Sequence, residues 1–80
     1  MTIGINLDTL IYQEPDASHM SMWSTVVNIL MDHDYDVSIC TRFSKCKKNI
    51  NTFNDLFKKL DAGDRLTEEN ILWNHRKINT

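Results

Sequence analysis

Residues 3–10 read IGINLDTL, and this stretch decides the fold that the sequence predicts. The run from Ile3 to Leu7 is apolar and rich in β-branched residues, which is typical of a strand buried on both faces. Because side chains alternate along a strand, Asn6 and Asp8 are expected to share one face at its end. The sequence therefore predicts a strand that delivers an amide and a carboxylate to its carboxyl end.

A turn and a helix are predicted after this strand. The stretch from Thr9 to Ala17 contains the breakers Pro15 and Asp16. Apolar residues then recur at helical spacing from about residue 18 to residue 33, with either Asp16 or Ser18 as the helix cap. The apolar stripe consists of Met20, Trp23, Val26, Val27, Leu30 and Met31.

A polar turn over residues 34–36 precedes a second apolar strand, predicted over residues 37–41. A strand, a helix and a strand make a βαβ unit, whose crossover is right-handed in nearly all folds, so the two strands should be parallel. Asn6, Asp8 and Thr41 should then meet at one edge of the sheet. Ligands of open α/β sheets bind at that edge.

The second half of the chain begins with a basic loop over residues 42–48. Asn51 is predicted to cap a helix that ends at Gly63, and Thr67 is predicted to open a last helix that runs to about Ile78. The apolar stripe of that last helix contains few residues. The predicted fold is one α/β domain over residues 1–80, with two parallel strands, three helices, and a possible third strand or hairpin at residues 9–13.

Size and composition exclude several classes of protein. With 80 residues, 41% hydrophobic and 25% charged, the chain is typical of a soluble globular domain without a large interdomain cleft. It contains no run of about 20 apolar residues and no signal-like amino terminus, so neither a membrane span nor secretion is expected. Cys40 and Cys46 do not form a disulfide framework, which favours a cytoplasmic protein with free thiols.

Charge is divided between the two halves of the chain. Residues 1–41 contain six acidic side chains and no Lys or Arg, whereas residues 42–80 contain nine basic and five acidic ones. The net charges of these two stretches are therefore −6 and +4. Such a division is typical either of a partner-binding surface or of two solvated faces that attract each other.

The stretches IGINLDTLIY (3–12) and HDYDVSICTRF (33–43) resemble the first two motifs of the haloacid dehalogenase (HAD) superfamily of phosphatases and phosphotransferases. The resemblance covers about half of the chain and implies a minimal HAD-like βαβ core over residues 1–43. It also implies that Asp8 occupies the acid/base position and Thr41 the phosphoryl-binding hydroxyl. Asn6 falls where the family has its nucleophilic aspartate.

Asn6 is the decisive departure from the family pattern. A carboxamide is neutral and a poor nucleophile, and Mg²⁺ loses an anionic ligand there. The lysines of the basic loop follow the second strand too closely to match the family's later Lys, and Asp61 and Asp64 lie at a helix end. The resemblance therefore implies no catalytic residue and no cofactor, and Asp8 is only a weak metal candidate.

Three functions compete at this point. The first is a non-catalytic HAD-like protein that binds a macromolecular partner, above all a protein, and modulates or inhibits it; a phage protein acting on a host enzyme is one example. The open edges of so thin a sheet favour pairing with a partner or a homodimer. The residues expected to bind the partner are Arg42, Phe43, Lys45, Lys47, Lys48 and Trp73.

Two alternatives to partner binding stay open. One is a phosphatase-like or nucleotidase-like remnant that uses Asp8 and Thr41 with Mg²⁺. The other is a nucleic-acid-binding module in which the basic loop contacts phosphates and Phe43 stacks on a base. The acidic first half and the sequence pI of about 5.8 argue against the nucleic-acid alternative.

Overall fold

Three parallel strands and three helices form the fold in a computed structural model that describes residues 1–62 and 64–75. The elements are β1 (Thr2–Ile5), α1 (Asp8–Tyr12), α2 (Ala17–Asp32), β2 (Asp36–Cys40), α3 (Lys47–Lys59), a 3-10 turn (Glu68–Asn70) and β3 (Ile71–Leu72). The sheet order is β1-β2-β3, and both neighbouring pairs are parallel. The predicted α/β class and the parallel βαβ unit are thereby confirmed. No helix of the described ranges is long and apolar enough to cross a membrane.

Helix α2 matches its prediction to within one residue at each end. The Asp16 side chain caps it, because its Oδ1 accepts a hydrogen bond of 2.8 Å from the His19 backbone N–H. The helix ends at a turn in which Asp34 adopts a left-handed backbone with φ of 63°, a conformation that Asp tolerates better than most residues. This turn reverses the chain into β2.

One face of the sheet carries the hydrophobic core. In the register of the sheet, Ile5 pairs with Ile39 and Ile39 pairs with Ile71. All three side chains are buried. Both crossovers step in the same direction across the sheet, so two right-handed crossovers place α2 and α3 on the same face. Phe53 of α3 is 1% exposed within this core.

The second face of the sheet is bare among the described residues. Thr2, Gly4, Asp36 and Leu72 are exposed on it, and Ser38 and Cys40 are only half-buried. A Cβ atom at Gly4 would lie 3.0 Å from the Cys40 Sγ, so the missing side chain leaves room for the thiol. The prediction that β1 is buried on both faces is wrong, because both crossover helices lie on the other side.

The segment after residue 66 differs from its prediction. The expected helix from Thr67 is only a 3-10 turn, followed by β3. Ile71 gains burial by pairing beside Ile39, which outweighs the weak helical pattern of this segment. The third strand therefore lies at residues 71–72 and not at residues 9–13. The end of the expected helix, at residues 76–78, and the expected stop at Gly63 lie outside the described residues.

Two helix boundaries also differ from prediction. Thr9–Tyr12, expected to be a turn or a hairpin strand, belongs to α1. Helix α3 begins at Lys47, four residues before the predicted cap Asn51, and its actual cap residue Cys46 makes no side-chain hydrogen bond. The hydrophobic stripe of α3 agrees with the prediction, since Phe53, Leu56 and Phe57 are all buried.

We expect Phe53→Ala to lower the free energy of unfolding by about 3–5 kcal/mol, because it leaves a cavity among three other aromatic rings. Phe53 lies 5.5 to 6.1 Å, between ring centroids, from Phe43, Phe57 and Trp73. Urea unfolding measures the change. The control is Ile29→Ala on the exposed side of α2, which should change stability by no more than about 0.5 kcal/mol. Equal losses in the two variants would contradict this placement of the core.

Candidate functional site

Asn6 and Asp8 meet through a turn rather than through strand alternation. Strand β1 ends at Ile5, and the Asn6 Oδ1 accepts a hydrogen bond of 2.9 Å from the Asp8 backbone N–H. This local bond is an Asx turn, which bends the chain and opens α1 at Asp8. The expected shared strand face is therefore wrong, although the two residues do lie side by side.

Asp8 and Thr41 form a buried bridge between the carboxyl ends of β1 and β2. Asp8 is 7% exposed and Thr41 is fully buried. The Thr41 hydroxyl donates to the Asp8 Oδ1 over 2.7 Å, and the Arg42 backbone N–H donates to the Asp8 Oδ2 over 3.0 Å. The Thr41 oxygen also accepts from the Phe43 backbone N–H over 3.0 Å. The structure thus brings the three residues expected at this edge together.

The chemistry open to this cluster is limited by these bonds. Each carboxylate oxygen of Asp8 already accepts one hydrogen bond, and the Thr41 hydroxyl both donates and accepts. A phosphoryl group could reach the Thr41 hydroxyl proton only by displacing Asp8. In the described ranges, 1–62 and 64–75, no group of three His, Cys, Asp or Glu side chains is placed to hold a metal ion. The cluster has the bonding pattern of a structural bridge.

The cations of the basic loop are exposed beside this cluster. Arg42, Lys45, Lys47 and Lys48 all lie at the surface, and Lys45 is 3.7 Å from a carboxylate oxygen of Glu68. Lys47 and Lys48 occupy the first turn of α3, which has no acidic side chain there. Cations at a helix amino terminus oppose the helix dipole, at a cost of about 0.3–1 kcal/mol each. Helix stability therefore does not account for these two lysines.

Phe43 and Trp73, both expected to bind a partner, pack against the core. Each ring is half-buried and makes an edge contact with Phe53. Tyr12, which the sequence interpretation missed, is 72% exposed, and its ring centroid lies 5.3 Å from that of Phe43. Together with Lys48 the two rings line a shallow cleft of about 220 Å³. Only the helical form of α1 brings Tyr12 there, so no local signal could have identified it.

A larger cleft of about 430 Å³ lies where β1 ends, and the sequence interpretation missed it as well. Trp23 and Leu10 supply apolar surface to it, and Glu14 and Asp16 supply carboxylates. The hydrogen bond from the His19 backbone N–H lowers the pKa of Asp16, so this carboxylate is charged at neutral pH. The His19 Nδ1 also lies 3.0 Å from the Asp16 Oδ1. This cleft lies within the acidic half of the chain.

Comparisons of the chain with protein-family models, with curated proteins and with solved structures found no match. The residues and their geometry are therefore the basis for assigning a function.

We expect Thr41→Val to lower the free energy of unfolding by about 1–3 kcal/mol, because it leaves the Asp8 carboxylate and the Phe43 N–H each short of a partner. Denaturant unfolding measures the loss. The matched control is Thr52→Val, which removes an exposed hydroxyl bonded to the Lys48 carbonyl of the preceding turn and should change stability by less than about 0.5 kcal/mol. A Thr41→Val protein as stable as the control would show that the bridge does not hold the strand ends together.

Proposed function

We propose that this protein is non-catalytic and acts by binding another protein, whose activity it modulates or inhibits. The absence of catalysis is inferred from the hydrogen bonds of the Asp8 carboxylate. Both of its oxygens accept hydrogen bonds from the second strand's end, and the amide oxygen of Asn6 accepts from the Asp8 N–H. These side chains, which phosphoryl transfer would need free, are used to join β1, α1 and β2.

The resemblance to the HAD superfamily supports the same proposal. Two parallel strands whose ends bring Asn6, Asp8 and Thr41 together form the arrangement that the resemblance implies. The nucleophile position is an amide, which cannot form the acyl phosphate. Under this proposal the cluster is the structural remainder of a phosphotransferase centre, in which the acid/base and the phosphoryl-binding hydroxyl now bond to each other.

The surface supports the binding part of the proposal. One face of the sheet is bare among the described residues, and exposed apolar side chains include Leu72, at 48% exposure, and Tyr12. Arg65 and Asp32 form an ion pair of 2.6 Å between the acidic and basic halves of the chain, yet both halves keep many exposed charges. An uncovered face of a sheet and a surface divided into acidic and basic parts are both typical of a protein that binds a partner.

A phosphatase assay tests the absence of catalysis. With a generic aryl phosphate and Mg²⁺, we expect no turnover above that of Asp8→Ala, because the nucleophile position is the Asn6 amide and both oxygens of Asp8 already accept hydrogen bonds. Turnover in the unaltered protein that Asp8→Ala abolishes would overturn the proposal in favour of the phosphatase-like alternative.

The variant Asn6→Asp tests the proposed origin of the cluster. A second carboxylate beside Asp8 restores an anionic pair of the kind that Mg²⁺ prefers. We expect Mg²⁺ to raise the melting temperature of this variant but not of the matched variant Asn51→Asp, whose side chain is exposed on α3. If Mg²⁺ affects neither variant, the descent from a phosphotransferase centre is not supported.

Binding of nucleic acid is a second candidate function, and the placement of Lys47 and Lys48 favours it. The two lysines lie in an uncapped first turn of α3, and Lys48 lines the cleft that the exposed ring of Tyr12 shares with Phe43. Cations beside aromatic rings on which bases can stack are the usual means of holding single-stranded nucleic acid.

A salt titration tests this second function. For a single-stranded oligonucleotide, each phosphate neutralised contributes a slope of about −0.7 to the dependence of log affinity on log salt. If the function holds, the double variant Lys47→Ala/Lys48→Ala should make the slope shallower by about 1.4. The control Lys58→Ala/Lys59→Ala removes two lysines from the other end of the same helix and should leave the slope unchanged. No binding at low salt, or equal effects of the two doubles, would exclude it.

A further inference from the structure

Strand β1 is an edge strand, and within residues 1–62 and 64–75 no other strand pairs with its free side. The Asp36 N–H donates to the Met1 carbonyl over 3.1 Å, and Thr2 pairs with Asp36 in the register. In a parallel ladder this pattern directs the peptide groups of Met1 and Ile3 toward β2 and those of Thr2 and Gly4 away from it. The N–H and C=O groups of Thr2 and Gly4 therefore point to the free edge.

Neither the composition of β1 nor its register with β2 protects this edge. Natural sheets block exposed edges with charged residues, with proline or with a bulge, and Thr2–Ile5 contains no charged residue and no proline and pairs with β2 in continuous register. Gly4 is exposed, and since glycine has no side chain, it is the backbone itself that meets solvent. The bare face of the sheet adjoins the same edge.

The charge around β1 selects the kind of strand that can pair with it. Residues 1–41 carry six acidic side chains and no Lys or Arg. Asp36 pairs with Thr2 at one end of the strand, and Glu14 and Asp16 line the cleft beyond its other end. A second copy of the chain would bring an equally acidic surface to the edge, whereas a basic segment would be attracted to it.

The cleft at the end of β1 adds a receptor for one basic side chain. Asn6 and Leu7, which directly follow the strand, line this cleft, so the cleft adjoins the carboxyl end of β1. The indole of Trp23, the carboxylates of Glu14 and Asp16 and the side chain of His19 line the same space. The Asp16 Oδ1 is occupied by His19, which leaves its Oδ2 for a basic group. An aromatic ring combined with carboxylates is the chemistry that recognises an ammonium or a guanidinium group.

We propose that β1 accepts an extended, Lys/Arg-rich segment of the partner protein as a fourth strand, with one basic side chain of that segment in the cleft lined by Trp23, Glu14 and Asp16. Hydrogen bonds to the backbone groups of Thr2 and Gly4 provide the affinity, as in other cases of strand addition. The acidic surroundings make the edge specific for a basic segment. This inference rests on the proposed function and names the surface and the partner chemistry that the function uses.

The test uses the full chain and two six-residue peptides, acetyl-Lys-Val-Lys-Val-Lys-Val-amide and the same peptide with Glu for Lys. We expect the Lys peptide to slow amide hydrogen exchange at Thr2 and Gly4 and the Glu peptide to leave it unchanged. Thr2→Pro removes an N–H that points away from β2, so it should weaken binding about fivefold, the loss of one hydrogen bond, without disturbing the β1–β2 ladder. The matched variant Thr2→Val keeps the N–H and should bind like the unaltered protein.

A second pair of variants tests the cleft. Glu14→Gln/Asp16→Asn removes both charges but keeps an acceptor at the cap of α2, since Asn caps helices as well as Asp does. We expect weaker binding of the Lys peptide and a shallower salt dependence. The control Asp55→Asn/Asp61→Asn removes two exposed charges from the second half of the chain and should have no effect.

Three outcomes would overturn the inference. The first is protection that maps away from Thr2 and Gly4, or no binding of the Lys peptide. The second is equal binding of the Lys and Glu peptides. The third is a dimer in sedimentation that Thr2→Pro dissociates, because the edge would then belong to a second copy. These outcomes are separate from the test of the proposed function. If the phosphatase assay is negative, the absence of catalysis still holds in all three cases. If the unaltered protein shows turnover that Asp8→Ala abolishes, the proposed function is overturned, whatever the result with the peptides.

Discussion

The hydrogen bond of 2.7 Å between the Thr41 hydroxyl and the Asp8 carboxylate holds the carboxyl ends of β1 and β2 together. Thr41 also connects β2 to the last part of the chain, since its backbone N–H donates to the Leu72 carbonyl and its carbonyl accepts from the His75 N–H. The side chain of Thr41 thus connects the ends of β1 and β2, and its backbone connects the end of β2 to the segment that contains β3. Polar groups placed this deeply are costly when unpaired, so the bonds of Thr41 stabilise the fold.

The direction of the two crossovers determines what the rest of the surface can do. Because the chain moves from β1 to β2 to β3 without reversing, both large helices cover one face, and no other described element covers the second face or the β1 edge. In a doubly wound sheet, a reversal of the strand order supplies helices for the second face. The described part of this chain contains no such reversal. The bare surface is therefore a consequence of topology, and the side chains on it decide what it can bind.

The sequence predicted those parts of the fold that depend on local patterns. The stripe from Trp23 to Leu30 predicted α2, and the apolar runs before Asn6 and after Asp36 predicted two parallel strands. The prediction failed where contacts with residues distant in the sequence decide the local structure. Strand β3 has only two residues and exists because Ile71 fits beside Ile39, which no local pattern encodes. The Asx turn at Asn6 likewise replaced the strand alternation that would have kept residues 6–8 extended.

In the candidate site as well, the sequence predicted which residues meet but not whether they are available for chemistry. Sequence reasoning correctly brought Asn6, Asp8 and Thr41 to one place, because parallel strands end at a common edge, but hydrogen bonding decides whether such a group is available for chemistry. Residues that violate local preferences without any gain for the fold are better indicators of function. Lys47 and Lys48 against the dipole of α3, and an unprotected β1 edge in an acidic half, are such violations. They lie on the surface, where they are accessible to a partner of the kind proposed above.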